Sequence, residues 1–198
     1  MHDVIIVGGG ASGFACALTL ASARGRGWNW AENRQYLVFD KDDSDLKKAY
    51  LKNVPGVEPI LGSELLEVIR KQIKDWGGVE FSQEKVVQIT KEGEIYKVFT
   101  EEGKEYSAKY VVLATGFKEF TIKGLDLEVV ENPKSPKPGR VMIKHKDYEV
   151  MPNLFVVGTL AGLSSHFTSC AGSGVEVAVE ILSRMAGKRI VIHDVPED

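Results

Sequence analysis

A strand followed by a glycine turn, close to the first residue, constrains the fold more than any other feature. Val4–Val7 are consecutive apolar residues, which indicates a strand buried on both faces of a parallel sheet. The glycines that follow have the spacing G-x-G-x-x-G. Gly8 permits a tight turn, Gly10 lets the backbone approach a pyrophosphate, and Gly13 lets a helix pack closely on the strand. The Ala- and Leu-rich residues 14 to about 23 predict that helix, with its N-terminus facing the phosphates.

Length, charge and cysteine content exclude several classes of protein. The 198 residues are enough for one good core, and the net charge of −3 gives no reason to expect nucleic acid or an anionic membrane as a partner. No apolar run approaches the roughly 20 residues of a spanning helix, and the first strand leaves no room for a signal peptide. The two cysteines, Cys16 and Cys170, make neither a disulfide framework nor a metal-ligand set. We therefore expect a soluble, cytoplasmic protein without a metal site.

A second strand, Tyr36–Phe39, ends at Asp40. A dinucleotide site needs a carboxylate there to accept hydrogen bonds from the ribose hydroxyls. The separation of Gly13 from Asp40 exceeds the usual twenty or so residues, so this assignment requires residues 24–35 to be an inserted loop. The alternative is a solvated aspartate that merely ends the strand.

A helix is predicted to start at Ser63, whose side chain would cap it, and to end at Gly77-Gly78. Apolar residues recur there at helical spacing and predict its buried face: Leu65, Leu66, Ile69, Ile73 and Trp76.

The pattern then changes to short alternating segments, which predict an antiparallel three-stranded meander over about residues 79–108. Its strands are Lys85–Thr90, Ile95–Thr100 and Glu105–Ala108. A separate strand, Tyr110–Leu113, leads into Ala114-Thr115-Gly116, and residues 118–140 are expected to form a loop or crossover. Short strands near residues 141–143 and 154–157 precede a last helix, predicted to open near Gly172-Ser173-Gly174 and to run to about Met185.

Together these motifs resemble the FAD-binding domain of the thioredoxin reductase-like branch of the pyridine nucleotide-disulfide oxidoreductases. The likeness is carried, in order along the chain, by Gly8–Gly13, Asn53-Val54-Pro55-Gly56, Gly62-Ser63-Glu64-Leu65, Val86–Ile89, Ala114-Thr115-Gly116, Met151–Gly158 and Gly172-Ser173-Gly174. The resemblance implies an α/β fold of the FAD/NAD(P)-binding Rossmann-like type, with a parallel sheet flanked by helices and the meander added. It also implies one FAD-binding domain over residues 1–198.

The resemblance assigns a set of residues to FAD. Gly172–Val175 correspond to a helix start that faces the flavin, and Val86 to a strand whose backbone contacts adenine. The full set is Gly8, Gly10, Ala11, Ser12, Gly13, Asp40, Lys41, Val86, Ala114, Thr115, Gly116, Gly158, Thr159, Gly172, Gly174 and Val175.

Two departures from the family pattern limit what the resemblance implies. In relatives a complete NADPH domain with a redox C-x-x-C lies between the A-T-G strand and the closing FAD segment. Here only residues 118–140 occupy that interval and no C-x-x-C occurs, so dithiol exchange is not expected. Thr159 stands where the family has an aspartate, which costs about 1–2 kcal/mol of charge-assisted hydrogen bonding.

Cys170 and His166 are the candidates for a direct part in catalysis. A thiol near a helix N-terminus has a lowered pKa and could attack a disulfide or the flavin; the alternative, which we favour, is a small buried residue. His166 could donate a proton at the flavin, but an ordinary loop histidine is the favoured interpretation. Cys16 is expected in the core.

The leading hypothesis is an FAD-dependent oxidoreductase that takes electrons from NAD(P)H or from a protein partner and passes them to an unidentified acceptor. The alternative is a non-catalytic FAD-binding module, or a subunit of a larger redox complex. A single-domain NAD(P)-binding enzyme is a third, weaker hypothesis, because the meander, the A-T-G motif and the closing strand and helix occur together in FAD domains. The resemblance also implies a homodimer.

Overall fold

Residues 1–193 are described by the computed structural model; residues 194–198, which the predicted domain includes, lie outside the description. In chain order the elements are β1 (His2–Val7), α1 (Ala11–Ala21), α2 (Asn29–Glu32), β2 (Tyr36–Phe39), β3 (Tyr50–Leu51), β4 (Ile60–Leu61), α3 (Gly62–Trp76), β5 (Val79–Ser82), β6 (Val86–Glu92), β7 (Ile95–Thr100), β8 (Glu105–Leu113), β9 (Val129–Glu131), β10 (Val141–Ile143), β11 (Glu149–Met151), β12 (Leu154–Val156) and α4 (Phe167–Ala186).

Five parallel strands form the main sheet, in the order β12-β8-β1-β2-β5, and β11 adds an antiparallel strand beside β12. The central strand is β1, where Ile5 lies between Leu37 of β2 and Val111 of β8. Val4, Ile5 and Ile6 are completely buried, as the continuous apolar run predicts. The carboxyl ends of these strands therefore meet at one edge of the sheet.

The two faces of the sheet have different covers. Val4 and Ile6 belong to a core with α1, α3 and α4, whereas Ile5 and Val7 belong to a core with the meander strands β6 and β7. Because successive strand residues point to opposite faces, β1 contributes alternate residues to the two cores. The predicted Rossmann-like α/β fold with a meander is confirmed.

The meander is joined to the parallel sheet more directly than expected. Glu105–Ala108 and Tyr110–Leu113 were predicted as separate strands, but they form one strand, β8. Its first half pairs antiparallel with β7 and its second half pairs parallel with β1. The exposed Lys109 interrupts the apolar pattern without interrupting the backbone hydrogen bonds.

Residues 118–140 contain structure that the sequence did not indicate. Their strand β9 pairs antiparallel with β10, and we call this pair, with its connecting loop, the 129–143 ribbon. Upstream of it, Lys123 extends the edge of β6: Ile89 N donates to Lys123 O (2.9 Å) and Lys123 N donates to Val87 O (3.0 Å).

Three details of the predicted helices were wrong. Helix α4 begins at Phe167, five residues before Gly172. Helix α3 begins at Gly62 with Leu61 as the N-cap residue, so Ser63 does not cap it. Trp76 is 41% exposed, because it lies in the last turn, beyond the buried stripe. Within residues 1–193, no helix is both long and apolar enough to cross a membrane.

Candidate functional site

A cavity of about 810 Å³ opens at the carboxyl edge of the parallel sheet. Open α/β sheets bind ligands at this edge, and cofactor sites have volumes of about 300–1,000 Å³. The structure brings most of the predicted residues to the cavity wall: Gly8, Gly10, Ala11, Ser12, Asp40, Lys41, Val86, Ala114, Thr115, Gly116, Thr159 and Cys170. The other predicted residues, Gly13, Gly158, Gly172, Gly174, Val175 and His166, are not part of that wall.

The glycine turn combines two glycines that pack against backbone with one that lines the cavity. A Cβ on Gly8, whose φ is +119°, would lie 2.3 Å from Ala114 O, and one on Gly13 would lie 1.9 Å from Gly8 O. Gly10 differs, since its nearest neighbour would be Ser44 Oγ at 3.2 Å. Gly10 is the N-cap residue of α1, and the first N–H groups of a helix have no partner within that helix. The turn can therefore receive an anion beside Gly10.

Asp40 is a buried, fixed carboxylate rather than a solvated one. It is 5% exposed; its Oδ2 accepts from Arg70 Nη2 at 2.5 Å and its Oδ1 accepts from Asp42 N at 2.9 Å. The Arg70 guanidinium lies over the ring of Phe14, 5.1 Å from its centroid. A Cβ on Gly9 would lie only 2.1 Å from Asp40 Cγ, so the glycine turn rests directly on this carboxyl group. Each carboxylate oxygen retains a lone pair for a further donor such as a ribose hydroxyl.

The segment after β12 is held by two buried side chains that the sequence analysis did not identify. Ser173 Oγ accepts from Gly158 N (2.8 Å) and donates to Cys170 O (2.7 Å), while Asn132 Nδ2 donates to Thr159 O (2.8 Å). Ser173 and Asn132 are each 2% exposed. Asn132 belongs to no motif, and Ser173, although part of the Gly172-Ser173-Gly174 motif, acts on Gly158, 15 residues away, so no local signal indicated these hydrogen bonds.

The start of α4 corrects the predicted geometry at this end of the cavity. Gly172–Val175 lie in the second turn of α4, and the residues near the helix start that line the cavity are Ser165, Phe167 and Cys170. Gly174 has a packing role, because a Cβ there would lie 2.1 Å from Ser12 O in α1. Val175 is 39% exposed.

The two cysteines are buried, free thiols. Burial raises the pKa of Cys170 to about 11, and its Sγ donates to Ser164 O at 3.3 Å. This agrees with the favoured interpretation of Cys170 as a small buried residue and not with the alternative of a reactive thiol with a lowered pKa. Burial also raises the pKa of Cys16, as expected for a core residue. His166 is exposed at the N-cap position of α4.

Comparison with known proteins assigns the family. The model of the pyridine nucleotide-disulphide oxidoreductases matches residues 2–159. The chain belongs to this family. The family resemblance inferred from the motifs is thereby confirmed.

Curated relatives of this chain include two bacterial thioredoxin reductases. That of Aquifex aeolicus is 33% identical over 123 residues, which are 60% of this chain and 35% of the relative. That of Bacillus subtilis is 29% identical over 129 residues, 63% of this chain and 37% of the relative. The matched region thus spans little more than a third of the length of these relatives.

Solved structures show the same fold at low sequence identity. A thioredoxin reductase from Gloeobacter violaceus superposes with a TM-score of 0.75 at 16% identity, and the alignment spans 98% of each chain. A ferredoxin-flavin thioredoxin reductase from Clostridium acetobutylicum superposes with a TM-score of 0.68 at 14% identity, over 94% of this chain and 98% of the other. Because the first of these alignments spans 98% of this chain, the likeness in fold includes α4, which lies beyond the residues matched by the family model.

Proposed function

We propose that this chain is an FAD-binding oxidoreductase of the thioredoxin reductase-like type that works without a dithiol active site. The observation that carries the proposal is the cavity at the sheet edge, where the glycine turn, Asp40 and Thr159 line one continuous wall. The ends of β2 and β12 are three strand spacings apart, about 14 Å. This elongated shape suits a dinucleotide better than a single nucleotide.

The residues of the wall fit the parts of FAD. The open space beside Gly10 and the free N–H groups of α1 suit the pyrophosphate. Asp40 and Val86 lie at the end that suits the adenosine, whereas Thr159 and the start of α4 lie at the end that suits the flavin. When bound, FAD would supply the redox chemistry, and the chain would supply position and electrostatics.

The electron donor is proposed to be NAD(P)H or a protein partner, and the acceptor is unidentified. The family of the chain, whose name refers to pyridine nucleotides, supports a nicotinamide donor. Because the sequence contains no C-x-x-C, we do not assign it the disulfide chemistry named for its relatives. Homodimerisation and a cytoplasmic location remain predictions; light scattering coupled to size exclusion tests the dimer.

Cofactor release tests the proposal directly. The purified protein, or protein refolded with excess FAD, is denatured and the released nucleotide is identified by chromatography; FAD is expected. Reduction is then followed as bleaching of the flavin absorbance on anaerobic addition of NADH or NADPH. Protein that stays colourless after refolding with FAD would refute the proposal, and release of a nicotinamide nucleotide would favour a single-domain NAD(P)-binding enzyme.

A Gly10→Val variant provides the matched control. A Cβ on Gly10 would contact only the side chain of Ser44, with Oγ at 3.2 Å, so the variant should still fold without cofactor once that hydroxyl shifts by a few tenths of an ångström. Added FAD should raise the melting temperature of the wild-type protein and not that of the variant. Equal stabilisation of both proteins by FAD would place the pyrophosphate elsewhere.

A non-catalytic FAD-binding module is the second candidate. The short 118–140 interval, which stands where the resemblance places an NADPH domain, and the absence of a C-x-x-C from the sequence motivate it. A reducible flavin without turnover of dyes, oxygen or disulfides would indicate the module, and steady turnover with any of them would exclude it.

A further inference from the structure

The cavity wall carries more unpaired positive than negative charge. Six cationic side chains line it, and three of them form ion pairs: Lys41 with Asp43 (2.9 Å), Lys118 with Asp45 (2.7 Å) and Lys85 with Glu101 (2.9 Å). Across residues 1–193, the other three, Lys48, Lys137 and Arg140, have no carboxylate within ion-pair distance. Among the carboxylates of the wall, Glu119 alone has no ion pair with a residue in the range 1–193. Three unpaired cations thus face one unpaired carboxylate.

Arg140 is the most unusual of these cations. It is half-buried, its guanidinium lies 5.4 Å from the centroid of the Phe117 ring, and its Nε is buried without a hydrogen-bond acceptor among the described residues. Removing part of a guanidinium from water without giving its N–H groups an acceptor costs free energy. Because Arg140 also lines the cavity, a ligand with phosphate oxygens there would offer acceptors to its guanidinium, whose planar fork matches phosphate in two-point contacts.

Backbone contacts place Arg140 at the Thr159 end of the cavity. Its carbonyl oxygen accepts from Asn132 N (2.7 Å), and the Asn132 side chain donates to Thr159 O. The next residue, Val141, donates its N–H to Phe117 O (2.8 Å). Arg140 is therefore held close to Thr159 and Phe117, two residues of the cavity wall, at the end where the flavin is proposed.

We propose that Arg140, assisted by Lys137 on the same ribbon loop, forms a subsite for the diphosphate of a nicotinamide dinucleotide that docks directly on the FAD-loaded domain. This inference rests on the proposed function. The sequence has one G-x-G-x-x-G turn, and FAD would occupy it, so a nicotinamide donor needs another source of phosphate contacts in this chain. The 129–143 ribbon supplies such contacts beside the proposed flavin position.

Equilibrium binding tests the subsite without relying on turnover. FAD-loaded protein is titrated calorimetrically with NAD⁺ and with NADP⁺ in buffer free of phosphate. Arg140→Gln should weaken binding of the preferred nucleotide on the order of ten- to a hundredfold, since charge-assisted hydrogen bonds are lost. Arg140→Lys should fall between the two because it keeps the charge and loses the fork. Lys137→Gln should have an effect of only a few-fold, because Lys137 is exposed.

Arg189→Gln is the matched control, because Arg189 is 82% exposed and lies outside the cavity wall. It should bind the nucleotide like the wild-type protein, and inorganic pyrophosphate should compete in both. The inference is overturned if Arg140→Gln binds as tightly as wild type, if the wild-type protein binds neither nucleotide, or if Arg140→Gln loses FAD, which would place Arg140 in the FAD site. Failure of the wild-type protein to take up FAD at all would instead refute the proposed function, so the two failures are distinguishable.

Discussion

Two glycines in α4, two residues apart, should respond oppositely to the same substitution. A Cβ on Gly172 would have no neighbour within 4 Å, so Gly172→Ala gains helix propensity and should stabilise the protein by about 1 kcal/mol. A Cβ on Gly174 would lie 2.1 Å from Ser12 O and 3.0 Å from Cys16 N, so α1 and α4 must separate by about 1 Å. Overpacking of this kind costs about 3 kcal/mol, and after the gain in propensity a net loss of about 2 kcal/mol remains.

The predicted gap between the two variants is therefore about 3 kcal/mol, or about 6–12 °C in melting temperature for a chain of this length. It is measured by thermal and urea unfolding with FAD at one saturating concentration, because bound ligand adds stability of its own. Should Gly174→Ala prove as stable as Gly172→Ala, the close contact between α1 and α4 would not exist, and our account of the small residues in α4 would be wrong.

Three further predictions concern single side chains. Because burial holds the pKa of Cys170 at about 11, its thiol ionises at lower pH in the unfolded state than in the folded state. The free energy of unfolding should therefore fall between about pH 9 and 11. In urea titrations, Cys170→Ala should remove on the order of 2–3 kcal/mol of that loss. Arg184 lowers the pKa of Glu149, so Arg184→Gln should lower the free energy of unfolding by about 1–2 kcal/mol near neutral pH. The difference from wild type should shrink as the pH falls below about 4, because Glu149 then becomes protonated in both proteins. A difference that stays constant over this range would contradict the pairing. Asn132→Ala leaves Thr159 O without its buried donor and should lower unfolding free energy by about 1–3 kcal/mol, whereas an exposed Lys134→Ala should have little effect.

The features that sequence could predict are those whose cause is local. The run Val4–Val7 is apolar because both faces of β1 are buried, and Gly8 and Gly13 are glycines because backbone atoms lie where their Cβ atoms would be. The same holds for the α3 stripe, in which Ile73 is completely buried. Such signals occupy a few adjacent residues, and they were enough to indicate the fold, the family and the cofactor cavity.

The features that sequence could not predict depend on contacts between distant segments. The resemblance predicted a helix start at Gly172-Ser173-Gly174, but these residues lie inside α4. Gly174 is a glycine because α1 packs against it, and Ser173 is buried in hydrogen bonds with Gly158 and Cys170. Asn132 is conspicuous only once Thr159, 27 residues away, is seen to accept its hydrogen bond. The position of Arg140 likewise depends on how the 129–143 ribbon pairs, which no periodicity in this proline-rich stretch indicated.

The contacts at Gly174 and Asn132 together set the width of the cavity at the end where the flavin is proposed. Gly174 fixes α4 against Ser12, which lies between Gly10 and Gly13 of the glycine turn, while Asn132 fixes the ribbon against Thr159. Thus Ser12, Thr159 and Cys170, which come from three separate segments of the wall, are positioned by residues that do not line the cavity themselves. Because the ribbon that carries Arg140 is also the ribbon that holds Thr159, the proposed subsite and the proposed flavin position share one support. A change in the length or register of the ribbon would therefore alter the subsite and the flavin position together. We expect a change of electron donor among similar chains to be accompanied by changes in the interval that corresponds to residues 118–140.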